Sequence, residues 1–339
     1  MFVIKKAKSR TEFLLHKRSI EKFIIPVMSI NLRNIIINLS PELMEITEEI
    51  RLKRNQPLMI VGGNMDFFID KNGQAVQSKD LGYMVKKEDI IKTLNLITDN
   101  SVYAFEEEIK HGFITIKGGH RVGLCGKTVI QDGRIKTIKN ISSLNIRIAR
   151  EIIGCSNTVI KYIIKPPDTV YNTLIVSPPQ CGKTTMLRDI ARQLSDGCKK
   201  LGFRGVKVGI VDERSEIASC YMGKPQKRVG VRTDVLDGCP KALGMILLIR
   251  SMSPQVIVVD EIGSREDVCS IGEAINAGTK LITSVHGASM EELMRRPAVN
   301  ELIAQRVFER IVFLSNKKGP GSIEKIINGI DGSILYRGF

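Results

Sequence analysis

The sequence predicts an α/β domain built on a parallel sheet, preceded by a smaller α+β domain. In the second half of the chain, short apolar runs occur at 173–177, 206–212, 256–260 and 280–285. Helical stretches alternate with them at 183–196, 239–252 and 266–277. Terminal strands with a basic turn are predicted in the segments 307–318, 322–328 and 332–338. Continuous apolar strands separated by helices are typical of a parallel sheet covered on both faces.

The length indicates more than one domain, because 339 residues exceed what one hydrophobic core usually holds. We predict a basic N-terminal extension at 1–30, an α+β domain at 31–155 and the larger α/β domain at 156–339. Within the α+β domain, residues 40–55 are predicted to form a helix, with Ser40 as its N-cap, that leads into a strand. A second helix is predicted at 86–99, and strands are predicted at 57–63, 65–70 and 112–130. The pair Pro166-Pro167 predicts a linker near the domain edge.

The net charge of +15, from 51 basic and 36 acidic residues, favours an anionic partner or reflects solubility alone. Seven cysteines without a CxxC pair indicate reduced thiols in a cytoplasmic protein, and no Cys/His spacing of a structural zinc site occurs. We expect no transmembrane helix, because no uncharged apolar run reaches about 18 residues. The basic first residues are not a secretory signal. They either lie on an anionic lipid surface or form a solvated extension, and we expect the extension.

The segment 173–194 carries a phosphate-binding loop between a strand and a helix. Loop amides and a helix N-terminus form an anion site, which predicts a P-loop NTPase domain of the RecA-like (ASCE) type with bound ATP. Lys183 is predicted to reach the β- and γ-phosphates, Thr184 to bind Mg²⁺ and Thr185 to bind the α-phosphate. The predicted nucleotide-binding residues are Ser177, Pro178, Pro179, Gln180, Cys181, Gly182, Lys183, Thr184 and Thr185.

The loop departs from the usual GxxxxGK[ST] pattern at two positions. Ser177 occupies the first glycine position, and Gln180 stands where a small residue is common. A positive φ at either position would strain a non-glycine residue by about 1 kcal/mol. We expect nucleotide binding to survive, because Gly182, Lys183 and Thr184 are present.

Two acidic pairs follow apolar strands in this domain. Asp260 is predicted to hold Mg²⁺, and Glu261 is predicted to polarise the attacking water as general base. Asp212 and Glu213 form the second pair, for which a helix N-cap with solvated acids is an equal alternative. Because carboxyl ends of parallel strands face the ligand in such sheets, the first pair is assigned to the predicted site, and the second is predicted to leave its strand on the same side of the sheet.

Phosphoryl transfer also calls for groups that bind the developing negative charge. His286 follows the strand at 280–285, where it can hydrogen-bond the γ-phosphate or a catalytic carboxylate. The sequence does not select one side chain as the cation for this reaction. The candidate arginines are Arg121, Arg147, Arg150, Arg228, Arg232 and Arg265.

The order of P-loop, acidic box at 211–214, Asp260-Glu261 and histidine box at 284–287 resembles the ATPases of type II and type IV secretion systems. With the sequences that flank these motifs, the chain more closely resembles the stage III sporulation protein AA family, over roughly residues 40–335. The segments that carry it are 48–58, 112–126, 141–151, 178–192, 211–218 and 233–263.

The resemblance implies an ATP-hydrolysing motor of sporulation that uses Mg²⁺ and assembles with itself, with a hexameric ring as one form. It implies a cytoplasmic protein, peripheral at the inner face of the mother-cell membrane, whose partners are channel proteins of a secretion-like complex facing the forespore. In the secretion ATPases the acidic-box glutamate is catalytic, so Glu213 rivals Glu261. Their amino-terminal domain supplies arginines to the nucleotide, which favours Arg147 here, with Arg121 and Arg150. The family P-loop resembles GPPGCGKT, so Ser177 and Gln180 each replace a glycine.

Two other functions compete with the motor. A nucleic-acid-dependent ATPase would fit the positive charge, but aromatic residues are only 5% of the chain, so nucleic acid is not expected as a partner. A nucleotide-binding scaffold with weak turnover would follow if the altered P-loop abolished hydrolysis.

Overall fold

The computed structural model describes residues 10–63 and 65–338. The chain forms two compact units, Met1–Arg150 and Glu151–Phe339. Residues 1–9 of the expected extension and Asn64 of the expected turn lie outside the described residues. No helix among those described is long and apolar enough to cross a membrane.

The first unit has an antiparallel sheet of seven strands in the order β4-β3-β2-β1-β7-β6-β5. Its strands are β1 (Thr47–Lys53), β2 (Met59–Gly62), β3 (Met65–Ile69), β4 (Ala75–Val76), β5 (Phe113–Ile116), β6 (His120–Gln131) and β7 (Arg134–Arg147). Its α-helices are α1 (Arg10–Ser19), α2 (Ile30–Ile37), α3 (Pro41–Ile46), α4 (Lys87–Ile97) and α5 (Glu106–Lys110). A π-helical turn at Ile20–Ile24 and 3₁₀ turns at Ile25–Val27, Lys79–Leu81 and Val102–Phe105 complete it.

The predicted elements of this unit are present, and Ser40 caps α3 by accepting a hydrogen bond from the amide of Leu43 at 3.3 Å. The expectation of a solvated extension is wrong for its described part. Ile20, Ile24 and Met28 are fully buried, the first two in the π-helical turn and Met28 directly after the 3₁₀ turn that follows it.

The second unit contains a sheet of eight strands in the order β12-β11-β13-β14-β10-β15-β16-β17. The strands are β8 (Ile164–Lys165), β9 (Thr169–Val170), β10 (Thr173–Ser177), β11 (Val208–Asp212), β12 (Thr233–Asp237), β13 (Val256–Val259), β14 (Lys280–His286), β15 (Arg310–Ser315), β16 (Ser322–Asn328) and β17 (Ile334–Arg337), of which β8 and β9 form a separate hairpin. The helices are α6 (Ile160–Ile163), α7 (Lys183–Asp196), α8 (Lys241–Met252), α9 (Arg265–Asn276), α10 (Met290–Met294) and α11 (Pro297–Ala304), with a 3₁₀ turn at Lys199–Leu201.

Six neighbouring strands, from β12 to β15, run parallel, and β16 and β17 add antiparallel at one edge. Alternate residues of each strand enter opposite cores: Ile175 packs with α7 residues such as Leu187, whereas Val176 packs with α8 residues such as Met245. Gly244 lets α8 approach β11, since a Cβ there would lie 2.4 Å from Val211 Cγ1. The prediction of a parallel α/β domain after a smaller α+β domain is confirmed.

The proline pair does not mark the linker that the sequence suggested. Pro166 and Pro167 form the turn between β8 and β9, inside the second unit. The rigid φ of proline suits a tight turn as well as a linker, so the composition did not distinguish the two.

Candidate nucleotide site

The predicted site groups of the second unit meet at one edge of its sheet. β10, β11, β13 and β14 are parallel, so their carboxyl ends lie on the same side. Ser177 at the end of β10 is opposite His286 at the end of β14 in the strand register. Asp260 follows β13 directly, and Asp212 ends β11. Sheet topology thus brings together four segments that are far apart in sequence.

The phosphate-binding loop connects β10 to α7. Gly182 precedes α7 with φ of 85°, a left-handed conformation that glycine adopts without strain. The first amides of a helix have no acceptor within the helix, and its dipole favours negative charge there. The loop and the start of α7 therefore form a site suited to phosphate.

The two departures from the usual loop pattern differ in their cost. Gln180 has φ of 59°, so a side chain occupies a left-handed position that costs about 1 kcal/mol. Ser177 keeps a negative φ, and its hydroxyl donates to the carbonyl of Pro178 at 2.9 Å. Of these two substituted loop positions, only Gln180 therefore has a strained backbone.

Lys183, His286 and Glu261 form a connected line across the site. Lys183, only 8% exposed, has its Nζ 2.5 Å from His286 Nδ1, and His286 Nε2 lies 2.7 Å from Glu261 Oε1. The lysine Nζ is also 3.1 Å from Nε2. Because its contact with Nδ1 is the shorter one and the carboxylate faces Nε2, we assign the histidine proton to Nε2, so that Nδ1 accepts from the lysine and Nε2 donates to the carboxylate. Burial lowers the pKa of Lys183, although the charges of Asp260 and Glu261 oppose this. A buried cation and a carboxylate are thus held on either side of one imidazole.

Thr184 and Asp260 form the oxygen pair predicted for magnesium. Thr184 Oγ1 donates to Asp260 Oδ2 at 2.7 Å, and Ser284 Oγ donates to Asp260 Oδ1. Hydroxyl and carboxylate oxygens are the ligands that Mg²⁺ takes in nucleotide sites. Within residues 10–63 and 65–338, no cluster of three His, Cys, Asp or Glu side chains could hold a metal alone. These residues fit an ion that nucleotide phosphates would also ligate.

Ser284 begins the histidine box at 284–287, but the sequence predicted no role for it. Besides bonding Asp260, its hydroxyl accepts the amide of Glu261 at 3.0 Å, so it fixes the direction in which both acids leave β13. A polar residue inside the apolar strand at 280–285 was the signal that could have identified it.

Asp212 and Glu213 have different surroundings. Asp212, 2% exposed, accepts the amides of Glu216 and Ala218, both at 2.8 Å. Burial raises its pKa, and these backbone hydrogen bonds act in the opposite direction. Glu213 Oε2 instead lies 2.8 Å from Lys241 Nζ. The alternative of a helix N-cap is wrong, because β11 is followed by a turn that Asp212 closes.

A cleft of about 420 Å³ extends from the phosphate-binding loop. Loop residues 180–185 line it together with Asp260, Glu261 and His286, and the rest of its lining comes from Arg214 and Glu216 of the acidic loop and from Pro320. Glu213 lies in the adjoining groove of about 960 Å³, which Glu261 also lines. Arg214 was absent from the arginines selected in the sequence, although it follows Glu213 directly.

The selected arginines have separate positions. Arg147 ends β7 in the first unit and pairs with Glu49 Oε1 at 3.0 Å, and Arg121 of that unit lies over the ring of Phe113. In the second unit, Arg265 lines the adjoining groove. The other candidates have partners within their own units: Arg150 with Glu48, Arg228 with Glu151, and Arg232 with the carbonyl of Ser195.

The sequence of the chain is similar to that of known proteins. Residues 17–334 match the family model described as sporulation stage III, protein AA. The stage III sporulation protein AA of Bacillus subtilis (strain 168) is 45% identical over 290 residues, which cover 86% of this chain and 89% of that protein.

Solved structures agree on the fold at low sequence identity. The Legionella pneumophila ATPase DotB shares 13% identity with a TM-score of 0.51, covering 91% of this chain and 78% of that one. The pilus retraction motor PilT, solved with bound ADP, shares 14% identity with a TM-score of 0.51, covering 80% of this chain and 75% of that one. The fold is therefore that of the RecA-like secretion ATPases, and the chain belongs to the stage III sporulation protein AA family.

Proposed function

We propose that this protein binds Mg-ATP and hydrolyses it as a motor of sporulation. The observation that carries the proposal is the line Lys183–His286–Glu261 beside the pair Thr184–Asp260, all on the cleft of the phosphate-binding loop. Phosphate binding, metal binding and water activation each need one of these groups.

The residues have the following roles in the proposed reaction. The amides of the loop Ser177–Thr185 and the side chain of Lys183 would hold the phosphates. Thr184 and Asp260 would hold Mg²⁺, whose charge would neutralise that of the phosphate oxygens. Glu261 accepts a proton from water as the water oxygen bonds to the γ-phosphorus. The bond from that phosphorus to the β–γ bridging oxygen breaks, which releases phosphate and ADP. His286 positions Glu261 and senses the γ-phosphate.

Glu261 is the better of the two candidate bases in this conformation. It lies on the cleft wall with the loop, whereas Glu213 lies in the adjoining groove, paired with Lys241. A general base must reach the water that attacks the phosphate, so position on the cleft favours Glu261. Glu213 keeps a role if the acidic loop moves when nucleotide binds.

We propose further that the motor works as a homo-oligomer, in a hexameric ring, and energises a secretion-like channel between mother cell and forespore. Membership of a sporulation family and the fold shared with a secretion ATPase and a pilus motor support this. The protein would act in the mother-cell cytoplasm at the inner face of the membrane, docked on channel proteins. In the ring, Arg147 of the first unit would reach the nucleotide after leaving Glu49.

Phosphate release from Mg-ATP by the purified chain tests the proposal, measured across protein concentration beside Lys183→Ala. The matched control is Lys200→Ala, an exposed lysine of the same unit that lies in the 3₁₀ turn at Lys199–Leu201 and does not line the cleft. Turnover that rises with protein concentration and disappears only in Lys183→Ala supports the oligomeric motor.

The same assay separates the competing functions. Stimulation by single-stranded DNA that weakens steeply with salt would instead indicate a nucleic-acid-dependent ATPase. Bound nucleotide without phosphate release at any concentration, in the presence of membrane channel subunits, would indicate a scaffold and would overturn the motor.

A further inference from the structure

The acidic loop after β11 carries an arginine into the cleft. Arg214 lies on the cleft wall together with Lys183, Asp260 and Glu261. Its side chain is 68% exposed, and its terminal nitrogen is 3.4 Å from Glu261 Oε2. The guanidinium is therefore within reach of both the cleft and the carboxylate that the proposed reaction uses as base.

Both oxygens of Glu261 are engaged in this structure. Oε1 lies 2.7 Å from His286 Nε2, and Oε2 faces Arg214. A carboxylate whose two oxygens both face donors of the protein has no oxygen left to accept a hydrogen bond from the attacking water. Glu261 must therefore lose one of these two partners before it can hold that water.

Arg214 is the partner that can leave. His286 is also in contact with Lys183, a residue that is only 8% exposed. The Arg214–Glu261 pair is exposed and 3.4 Å long, which is the class of ion pair that contributes least to stability. A terminal phosphate in the cleft presents more charge than a carboxylate, and a guanidinium binds its oxygens through two parallel N–H groups.

The base of the loop is held while the Arg214 side chain is exposed. Asp212 binds the amides of Glu216 and Ala218, and Arg188 of α7 donates to the carbonyls of Glu216 and Ile217. The same helix begins at the phosphate-binding loop. Arg214 can thus exchange partners by side-chain rotation alone, without moving the backbone of the loop.

We propose that Arg214 is a catalytic residue that leaves Glu261 for the terminal phosphate of ATP, which frees Glu261 to act as base. This inference rests on the proposed ATP hydrolysis. ADP has no terminal phosphate in that position, so Arg214 stays on Glu261 and the base stays engaged. The exchange makes Arg214 both a sensor of ATP against ADP and a cation for the transition state, a role that arginines fill in other phosphoryl-transfer enzymes.

The experiment measures affinity and turnover in the full chain. Affinities for Mg-ADP and for a non-hydrolysable Mg-ATP analogue are compared in wild type, Arg214→Gln and Arg214→Lys. Arg204→Gln is the matched control, because Arg204 is 71% exposed and pairs with Asp168 at 3.8 Å, away from the cleft. We expect Arg214→Gln to lose about tenfold in analogue affinity with ADP affinity unchanged, and to lose at least about 100-fold in kcat. The lysine should recover part of the affinity, and the control should match wild type.

A double-mutant cycle tests the exchange itself. Glu261→Gln releases Arg214, so analogue affinity should rise by up to about fivefold, the range of an exposed ion pair. That gain should vanish in Glu261→Gln/Arg214→Gln. A gain that persists without Arg214 would overturn the exchange.

The outcomes also separate this inference from the proposed function. A wild type that hydrolyses ATP, with Arg214→Gln equal to it in kcat and in the ratio of analogue to ADP affinity, overturns the role of Arg214 only. A wild type that binds neither nucleotide overturns both. A wild type that binds without turnover overturns hydrolysis, while the affinity ratio still decides whether Arg214 senses the terminal phosphate.

Discussion

The link between α7 and the acidic loop can be broken at Arg188. Its side chain is 8% exposed, and it donates from Nε to the Ile217 carbonyl and from a terminal nitrogen to the Glu216 carbonyl, the second at 2.6 Å. Burial lowers the pKa of Arg188, although the nearby charges of Glu151 and Asp212 oppose the effect. Arg188→Met keeps most of the side-chain volume and removes both hydrogen bonds.

The expected loss of stability follows from these contacts. A hydrogen bond from a charged donor contributes about 1.5–3 kcal/mol, so two contribute about 3–6 kcal/mol. Removing a buried charge returns part of this, because the guanidinium no longer loses its hydration. We expect a net loss of about 2–4 kcal/mol, a large part of the roughly 5–15 kcal/mol that stabilises a folded domain.

Urea unfolding followed by circular dichroism measures this loss, with Arg204→Met as the exposed control. With a slope of about 2 kcal/mol per molar urea, the transition of the second unit should move by about 1–2 M in Arg188→Met. The control should stay within about 0.5 kcal/mol of wild type. Analogue affinity should also fall in Arg188→Met, because the loop that carries Arg214 loses its support. A midpoint within error of wild type would refute the reasoning.

Three further outcomes are expected. Gln180→Gly should gain up to about 1 kcal/mol in urea unfolding, because glycine relieves the left-handed strain, whereas Gln180→Ala should gain nothing. Burial, together with the charge of Arg188, lowers the pKa of Lys227 from 10.5 to about 8. The buried charge therefore destabilises the folded protein most below pH 8, and the free energy of unfolding rises between pH 8 and about pH 10.5. Urea unfolding should show that Lys227→Met is more stable than wild type at pH 7 and lacks that rise. Maleimide labelling at pH 8 followed by peptide mass spectrometry should modify exposed Cys269 before Cys220, whose pKa burial raises to about 12.

Much of the second unit could be predicted because the residues that begin and end its strands and helices are adjacent in sequence. The predicted helix at 183–196 is α7, and the predicted strand at 173–177 is β10. A buried parallel strand reads as a continuous apolar run, and Gly182 separates it from the helix without help from distant residues. β12, by contrast, was not predicted: it is an edge strand whose sequence TDVLD has two acids and no apolar run.

The sequence could predict which residues lie at the site, but it could not predict which of their side chains touch each other. Lys183, Asp260 and His286 follow recognisable strands, and each lies at the predicted sheet edge. Ser284 and Arg214 matter through partners about 24 and 47 residues away, which only the register of the strands defines. The segment at 20–28 differs for another reason: the basic residues of the N-terminal extension favour solvent, but the apolar residues Ile20, Ile24 and Met28 are fully buried.

Strand order explains why the site has one sequence of contacts and not another. The chain order is P-loop, acidic box, Asp-Glu pair and histidine, but the sheet order at this edge is β11-β13-β14-β10. Since β14 lies between β13 and β10, His286 must stand between Glu261 and Lys183, as the contacts show. Since β11 lies on the far side of β13, Arg214 can reach Glu261 only from the opposite direction. Glu261 follows the strand that lies between β11 and β14, so its carboxylate has a neighbour on each side. A ligand that attracts one of these neighbours therefore changes which oxygen of Glu261 is accessible.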